Sequence, residues 1–409
     1  MADFGGADLE AFRTEARTWL EANLPASLRG HPEQVLEAMN GGGKPSGDLE
    51  LWRQRMGEKG WGVPTWPKQY GGGGLSPAEV RVLQQEMGRV GAWNPIGGMG
   101  TMMFGPTLLE YGNEAQKSYH IPRIAKQEVR WCQGFSEPGA GSDLASLQCK
   151  CEDKGDHYLV NGSKIWTSGA QWADMCFCLV RTDTSKKHEG ISFLLVDMHA
   201  PGVEVRPIKL IAGASPFCET FFTDVKVPKE NLVGPLNGGC TIAKRLLQHE
   251  RSGIGGGNGG GGGGLFGVGG SPASLAKKYV GADEKGRIVD SDLRSRITAH
   301  EMDMKAFQLT IFRAMAESRS NQGPSAATSI MKNAGTKAGQ DRAELIVELM
   351  GSQGLGWEGD GFKPEEISTV RGWLGGKATT IFGGSAEIQN NIISKRILGL
   401  PDPLGSSSN

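Results

Sequence analysis

The spacing of apolar residues changes period twice along this chain, and those two changes narrow the folds open to it. Up to about residue 128 the spacing is helical. Phe12, Ala16, Trp19 and Leu20 form one stripe closed by Pro25, and Val80, Leu83 and Met87 form another opened by Pro77. Thr107 to Arg123 reads as two further short helices. Near Val129 the texture becomes that of strands. ISFLLVD at 191–197, VEVRPI at 203–208 and ETFFTDVKVP at 219–228 are β-branched and aromatic runs, and Val-Asn-Gly at 160–162 reads as a hairpin turn between HYLV and SKIWTSG. From Cys240 the helical period returns over 292–321, 327–350 and 364–398. The order is α, β, α, without the βαβ alternation of a doubly wound nucleotide-binding fold. The expected fold class is α+β, with an all-α part at 1–128, an all-β part at 129–239 and a helical part at 240–409.

Composition excludes several functions. With 409 residues and a formal net charge of −1, nothing draws the chain to nucleic acid or an anionic membrane. Seven cysteines without a C-x-x-C pair do not make a disulfide framework. Cys176 and Cys178 alternate with Phe177 as half-buried strand residues would, and read as structural thiols. No run of about 18 apolar residues exists to span a bilayer, and the first residues lack the basic and apolar regions of a secretory signal. The expected location is cytoplasmic. The scattered His residues suggest no metal site, and Arg313, Arg319 and Lys332 read as solvated positions on helices.

Glycine is the outlier. Of the 18 residues from Gly253 to Gly270, 13 are glycines. Each would cost a helix about 1 kcal/mol relative to Ala, so the stretch reads as a loop or a broken helix. It is either a connector or space for a bulky substrate.

Common catalytic signatures are missing: no G-x-S-x-G, H-E-x-x-H or G-x-x-x-x-G-K-[ST] occurs. What stands out is EPGAGSD at 137–143, following the strand-like RWCQGF. Its glycines let the backbone turn sharply and bring N–H groups towards an anion. NGSKIWTSGA follows at 161–170. With these two stretches the chain resembles the acyl-CoA dehydrogenase family. The resemblance extends through GWGVPTWPKQYGG at 60–72, PGVEVRPI at 201–208, VKVPKENLVG at 225–234 and IFGGSAEIQNNIISKRILGLP at 381–401. It implies an N-terminal helical domain, a middle β-barrel and a C-terminal four-helix bundle. It also implies FAD as cofactor, an acyl-CoA substrate oxidised to the trans-2-enoyl-CoA, and an electron-transfer flavoprotein as electron acceptor. By the same resemblance Gln133, Phe135, Ser136, Gly141, Ser142, Trp166, Thr167, Ser168, Ser385 and Glu387 hold the flavin. Ser142, Gln248, Arg251 and Gly383 face the acyl-CoA.

The reaction needs a carboxylate to remove the α-proton. Many family members carry it in the closing loop, where this chain has Gly383. A subset supplies it from the first helix of the C-terminal bundle, here TIAKRLLQHERSGI at 241–254. At about 100° per residue, Ile242, Ala243, Leu246, Leu247 and Ile254 form one stripe with Glu250 at its centre. Desolvation on such a stripe raises a carboxyl pKa. Glu250 is therefore the expected base, against the plainer reading of a buried Glu paired with Arg251.

The chain also departs from the family pattern. Homotetrameric relatives complete each flavin site with a neighbour's Arg, in an Arg-x-x-Phe-Gly context, and a neighbour's Gln. Here the glycine tract and KKYVGADEKGRIVDSDL occupy the first place, and Glu348 stands at the second, where its charge would repel a pyrophosphate. The resemblance thus implies a paralogous dehydrogenase subunit in a heterotetramer, or else a homotetramer in which Arg287 or Lys278 substitutes. The other functions weighed are a non-catalytic subunit of such a heteromer and an oxygen-using flavoenzyme of the same fold.

Overall fold

The computed structural model describes residues 7–31, 34–35, 45–255, 270–320 and 328–401. It separates into two units, one of residues up to 208 with 215–250, the other of 209–214 with residues from 251 onward.

The first unit opens with helices α1 (Ala7–Asn23), α2 (Gly47–Glu58), α3 (Pro77–Val90), α4 (Gly105–Tyr111) and α5 (Glu114–Ala125). Local chemistry sets their starts. Ser76 accepts from the Glu79 amide while the Glu79 carboxylate accepts from the Ser76 amide, with Pro77 in the first turn; Asn113 and Gln116 repeat the exchange ahead of α5. The stripe Phe12, Ala16 and Leu20 is buried in one core with Val82, Leu83 and Met87. Beside it the buried Glu86 carboxylate takes guanidinium hydrogen bonds from Arg13, Arg17 and Arg89 at 2.9–3.1 Å. In the 60–72 stretch Gly60 has φ +74, and a Cβ there would lie 2.7 Å from the Gly72 backbone. Only glycine fits that crossing.

An eight-stranded sheet follows: β1 (Trp131–Gly134), β2 (Lys150–Asp153), β3 (His157–Ser168), β4 (Met175–Arg181), β5 (Ile191–Asp197), β6 (Val203–Ile208), β7 (Phe217–Pro228) and β8 (Leu232–Val233). The order is β6-β7-β3-β2-β4-β5-β8, with β1 parallel to β4. The hairpin expected at Val160-Asn161-Gly162 does not form. β3 runs through it without a turn, paired with β7 on both sides of an irregularity between Val160 and Gly162. Asn161 exchanges hydrogen bonds with Asp224 across the irregularity instead of turning the chain. Gly162 is required there because a Cβ would meet the Cys149 backbone at 2.8 Å. Nor is β4 half-buried. Phe177 enters the core shared with the helices, Cys176 and Cys178 enter a second core on the other face, and all three are fully buried.

Helix α6 (Gly239–Gly255) ends the described part of the glycine-rich stretch, and the remainder of the tract, 256–269, lies outside the described residues. The second unit contains α7 (Pro272–Tyr279), α8 (Ser291–Ser320), α9 (Thr328–Leu349), α10 (Pro364–Gly376) and α11 (Ala386–Ile392). The run read as helical from 364 to 398 is therefore interrupted. Gly375 and Gly376 end α10, and Gly383 and Gly384 take φ of +67 and +91, incompatible with a continuing right-handed helix.

Candidate active site

The EPGAGSD and KIWTSG stretches meet through backbone and one buried ion pair. The Ile165 amide donates to the Ser136 carbonyl at 2.9 Å. Lys164, with no exposed surface, donates to Glu137 Oε1 at 2.7 Å and to the Phe135 carbonyl at 3.2 Å. Glu137 also accepts from the amides of Gln148 and Cys149. Burial works against the Lys164 ammonium, but the Glu137 carboxylate beside it outweighs that, and its pKa lies above the ordinary lysine value.

This frame places the remaining residues of the first unit. Gln133 lies on β1, and the Phe135 ring is buried edge-on to Phe177 and Phe193. Gly139, Gly141 and Ser142 are exposed, and the space over both glycines is open for 4 Å. Trp166 sits at a second irregularity of β3 with φ +61, its ring edge-on to Phe217 and 52% exposed. Ser168 ends the strand, half-buried. Thr167 differs from expectation. Its hydroxyl points into the barrel, bonded to the Cys218 carbonyl at 2.8 Å and the Thr220 hydroxyl at 2.7 Å, so it can offer a ligand only backbone.

On α6, Ile242, Ala243 and Leu246 are buried as one stripe, with Leu247 at its edge. Glu250 follows Leu246 by one turn on the same helix; its side chain and that of Arg251 lie outside the described residues. One turn earlier the helix is tied to α4. Arg245 donates to both Glu110 oxygens at 2.8 and 2.9 Å, and His249 Nε2 lies 3.1 Å from Glu110 Oε1. The Arg245 guanidinium, first among the causes, lowers the Glu110 pKa. Gln248 is exposed and accepts from Arg245 at 3.0 Å.

In the second unit Ser385 caps α11 by accepting from the Ile388 amide, and Gln389 Nε2 donates to the Gly383 carbonyl at 3.2 Å. Glu387 is exposed, its pKa lowered by its own amide, the Ser385 hydroxyl and Lys332. Two sequence expectations fail here. Lys332 is not on a solvated face: its Nζ is buried with no partner among the described residues, and burial lowers its pKa despite Glu387. Glu348 is not an uncompensated charge, since Arg296 grips it through two hydrogen bonds at 2.7 and 2.5 Å. A pairing across 52 positions leaves no trace in local sequence. Arg287 is occupied by Asp283 at 2.8 Å.

This helix–sheet–helix architecture, with the EPGAGSD loop joined to the end of strand β3, is that of a flavoprotein dehydrogenase. Family models for the N-terminal, middle and C-terminal domains of acyl-CoA dehydrogenases match residues 6–128, 132–225 and 237–398. Acyl-CoA dehydrogenase IpdE1 of Mycobacterium tuberculosis is 33% identical over 404 residues, covering 96% of this chain and 98% of that protein. Among solved structures, the Tcur3481–Tcur3483 steroid ACAD matches with a TM-score of 0.74 at 29% identity, over 97% of this chain and 98% of the other. The ChsE4–ChsE5 complex from Mycobacterium tuberculosis matches with a TM-score of 0.72 at 28% identity, over 98% and 100%. The chain belongs to the acyl-CoA dehydrogenase family and is an FAD-dependent oxidoreductase.

The residues present fit such a cofactor. An exposed tryptophan held at positive φ is a costly arrangement that a planar ring lying along it would offset. The open glycine turn leaves room for a close approach of phosphate to backbone. Beside Ser385 and Glu387, the unsatisfied Lys332 Nζ and Asn333 Oδ1 are buried groups that lack, among the described residues, an acceptor and a donor.

Proposed function

We propose that this enzyme removes the α-proton of an acyl-CoA thioester with Glu250 and yields the trans-2-enoyl-CoA. FAD, when bound, supplies the acceptor for the β-hydride, and an electron-transfer flavoprotein takes the electrons onward. The carrying observation is the buried stripe of Ile242, Ala243 and Leu246, which the helical repeat extends to position 250, while the closing loop offers Gly383 and no carboxylate. A carboxylate offered from that helix face accepts the α-proton of the weak carbon acid. The Gly383 amide polarises the thioester carbonyl as the enolate develops. Ser142, Gln248 and Arg251 hold the acyl-CoA. Gln133, Phe135, Ser136, Gly141, Ser142, Trp166, Ser168, Ser385 and Glu387 hold FAD, with Thr167 contributing backbone alone. Glu250→Gln tests the reading: substrate should no longer bleach the flavin, while FAD content stays that of the unmodified enzyme. Bleaching at an undiminished rate removes Glu250 as the base.

The names of the similar proteins, among them a steroid ACAD, support a bulky steroid-derived acyl group as substrate. A panel of short, long, branched and steroidal acyl-CoA esters, scored by flavin bleaching, tests this. Preference for a straight chain counts against it. The ChsE4–ChsE5 complex and the lack of an Arg-x-x-Phe-Gly sequence here support a paralogous subunit in a heterotetramer. The charge of Glu348 no longer adds to that case, because Arg296 neutralises it. Full FAD occupancy in a stable homotetramer of this chain alone rules the heteromer out.

A further inference from the structure

Arg181, the last residue of β4, is 6% exposed, and its guanidinium hydrogen-bonds only to backbone carbonyls. Nε donates to Leu147 at 3.2 Å, and Nη2 to Ala145 at 2.5 Å and Leu147 at 3.1 Å. Nη1 donates to Lys186 at 2.9 Å and Lys187 at 2.8 Å. Burying a cation with no carboxylate in hydrogen-bond contact costs free energy, and well-made hydrogen bonds offset that cost. Five bonds from one rigid fork satisfy the charge and at the same time join two loops, the one following EPGAGSD and the one between β4 and β5.

Other bonds close the same frame. The Arg181 amide donates to the Cys149 carbonyl at 2.7 Å. Lys187 reaches Asp143 at 2.8 Å, and the Ser146 hydroxyl donates to Asp143 at 2.6 Å. At the other end Glu137 accepts from the amides of Gln148 and Cys149. The segment is thus anchored at Glu137 and again from Asp143 to Cys149, and only its tip, with the exposed Gly139, Gly141 and Ser142, is left to face a ligand.

We propose that Arg181 is a positioning residue for acyl-CoA. It fixes the Ser142 loop and the 182–190 loop as one unit, so that the thioester's CoA part meets a surface already formed. This rests on the assignment of Ser142 to the acyl-CoA site. A rigid loop lowers the ordering cost of binding and does nothing to the proton-transfer step, so the effect belongs in KM. The Lys164–Glu137 ion pair does not involve the Arg181 side chain, so the variants keep that support of residues 135 and 136.

The test uses the FAD-loaded enzyme with Arg181→Lys and Arg181→Ala. KM for acyl-CoA should rise on the order of tenfold with kcat changed by less than about twofold and the flavin spectrum unaltered. Millimolar guanidinium should restore KM in the alanine variant, and ammonium should not. A folded, FAD-loaded Arg181 variant with unchanged KM overturns the proposal. Ser142→Ala separates the two assignments. If it leaves KM unchanged, the reading of the loop falls and this proposal with it; if it raises KM while the Arg181 variants do not, only the proposal falls. Hydrogen exchange on the unmodified enzyme decides the matter even where neither variant folds. On adding free CoA, peptides covering 138–147 and 182–190 should gain protection together, and protection of only one of them overturns the coupling.

Discussion

Lys164 Nζ lies 2.7 Å from Glu137 Oε1, with the lysine fully buried and the glutamate nearly so. One residue belongs to KIWTSG and the other opens EPGAGSD, so the two stretches that carry the family resemblance are joined in the barrel core. The same lysine donates to the Phe135 carbonyl. Residues 135, 136 and 166–168, which we propose hold the flavin, therefore share one buried ionic support.

Lys164→Met should be among the most damaging single changes in the chain. It leaves the Glu137 carboxylate buried with amide partners only, and loss of one partner of a buried pair costs about 3–5 kcal/mol. Denaturant unfolding should show that loss together with weakened FAD retention. Because the folded pKa of Lys164 is raised, its contribution is complete at neutral pH and disappears only as pH climbs through that value, above 10.5.

Glu86 should govern the acid limit of the N-terminal helices. Hydrogen bonds from Arg17 first, then Arg89 and Arg13, hold its pKa at about 2 against an ordinary 4.5. A depressed acid pKa gives stability that is present above about 4.5 and lost as pH falls towards 2. A plot of Tm against pH should lose its slope in that window in Glu86→Gln, and the variant should be the less stable protein at pH 7.

His120 acts in a higher window. Burial, with Arg123 adding to it, pushes its pKa down to about 4 from 6.5. The unfolded chain binds the proton more readily, so stability drops as pH falls from about 6.5 to about 4, by at most about 3 kcal/mol. His120→Gln should flatten the Tm profile between those values while leaving the Glu86 step in place.

Arg296→Ala should uncover the charge of Glu348. The expected outcome is lower FAD content per chain in the assembled enzyme, corrected by a second change, Glu348→Gln. Absorbance of released flavin measures it. Equal FAD content in Arg296→Ala and the unmodified protein places Glu348 away from the cofactor.

Patterns with a short repeat were legible in the chain itself. The burial of Ile242, Ala243 and Leu246 on α6 follows from a period that any helix imposes. The same holds for the Ser76 cap and the strand runs of the middle part. Val160-Asn161-Gly162 misled because Asn-Gly is a local turn signal, whereas β7 pairs with both flanks and converts the turn into an irregular strand. Lys332 misled for a similar reason: a lysine on a helix reads as solvated until neighbouring segments cover it.

The sequence alone determined the α–β–α order, the two motif stretches and the helix face on which Glu250 falls, because each depends on residues a few positions apart. Tertiary structure decided which charges are compensated. Glu137 with Lys164, Glu348 with Arg296 and Arg181 with the Ala145 and Leu147 carbonyls are matched across 27 to 52 positions. For Glu137 and Arg181 the pairing depends on burial, where an unmatched charge is too costly to keep. The exposed Arg296–Glu348 pair depends instead on α8 packing against α9, and both are properties of the folded chain.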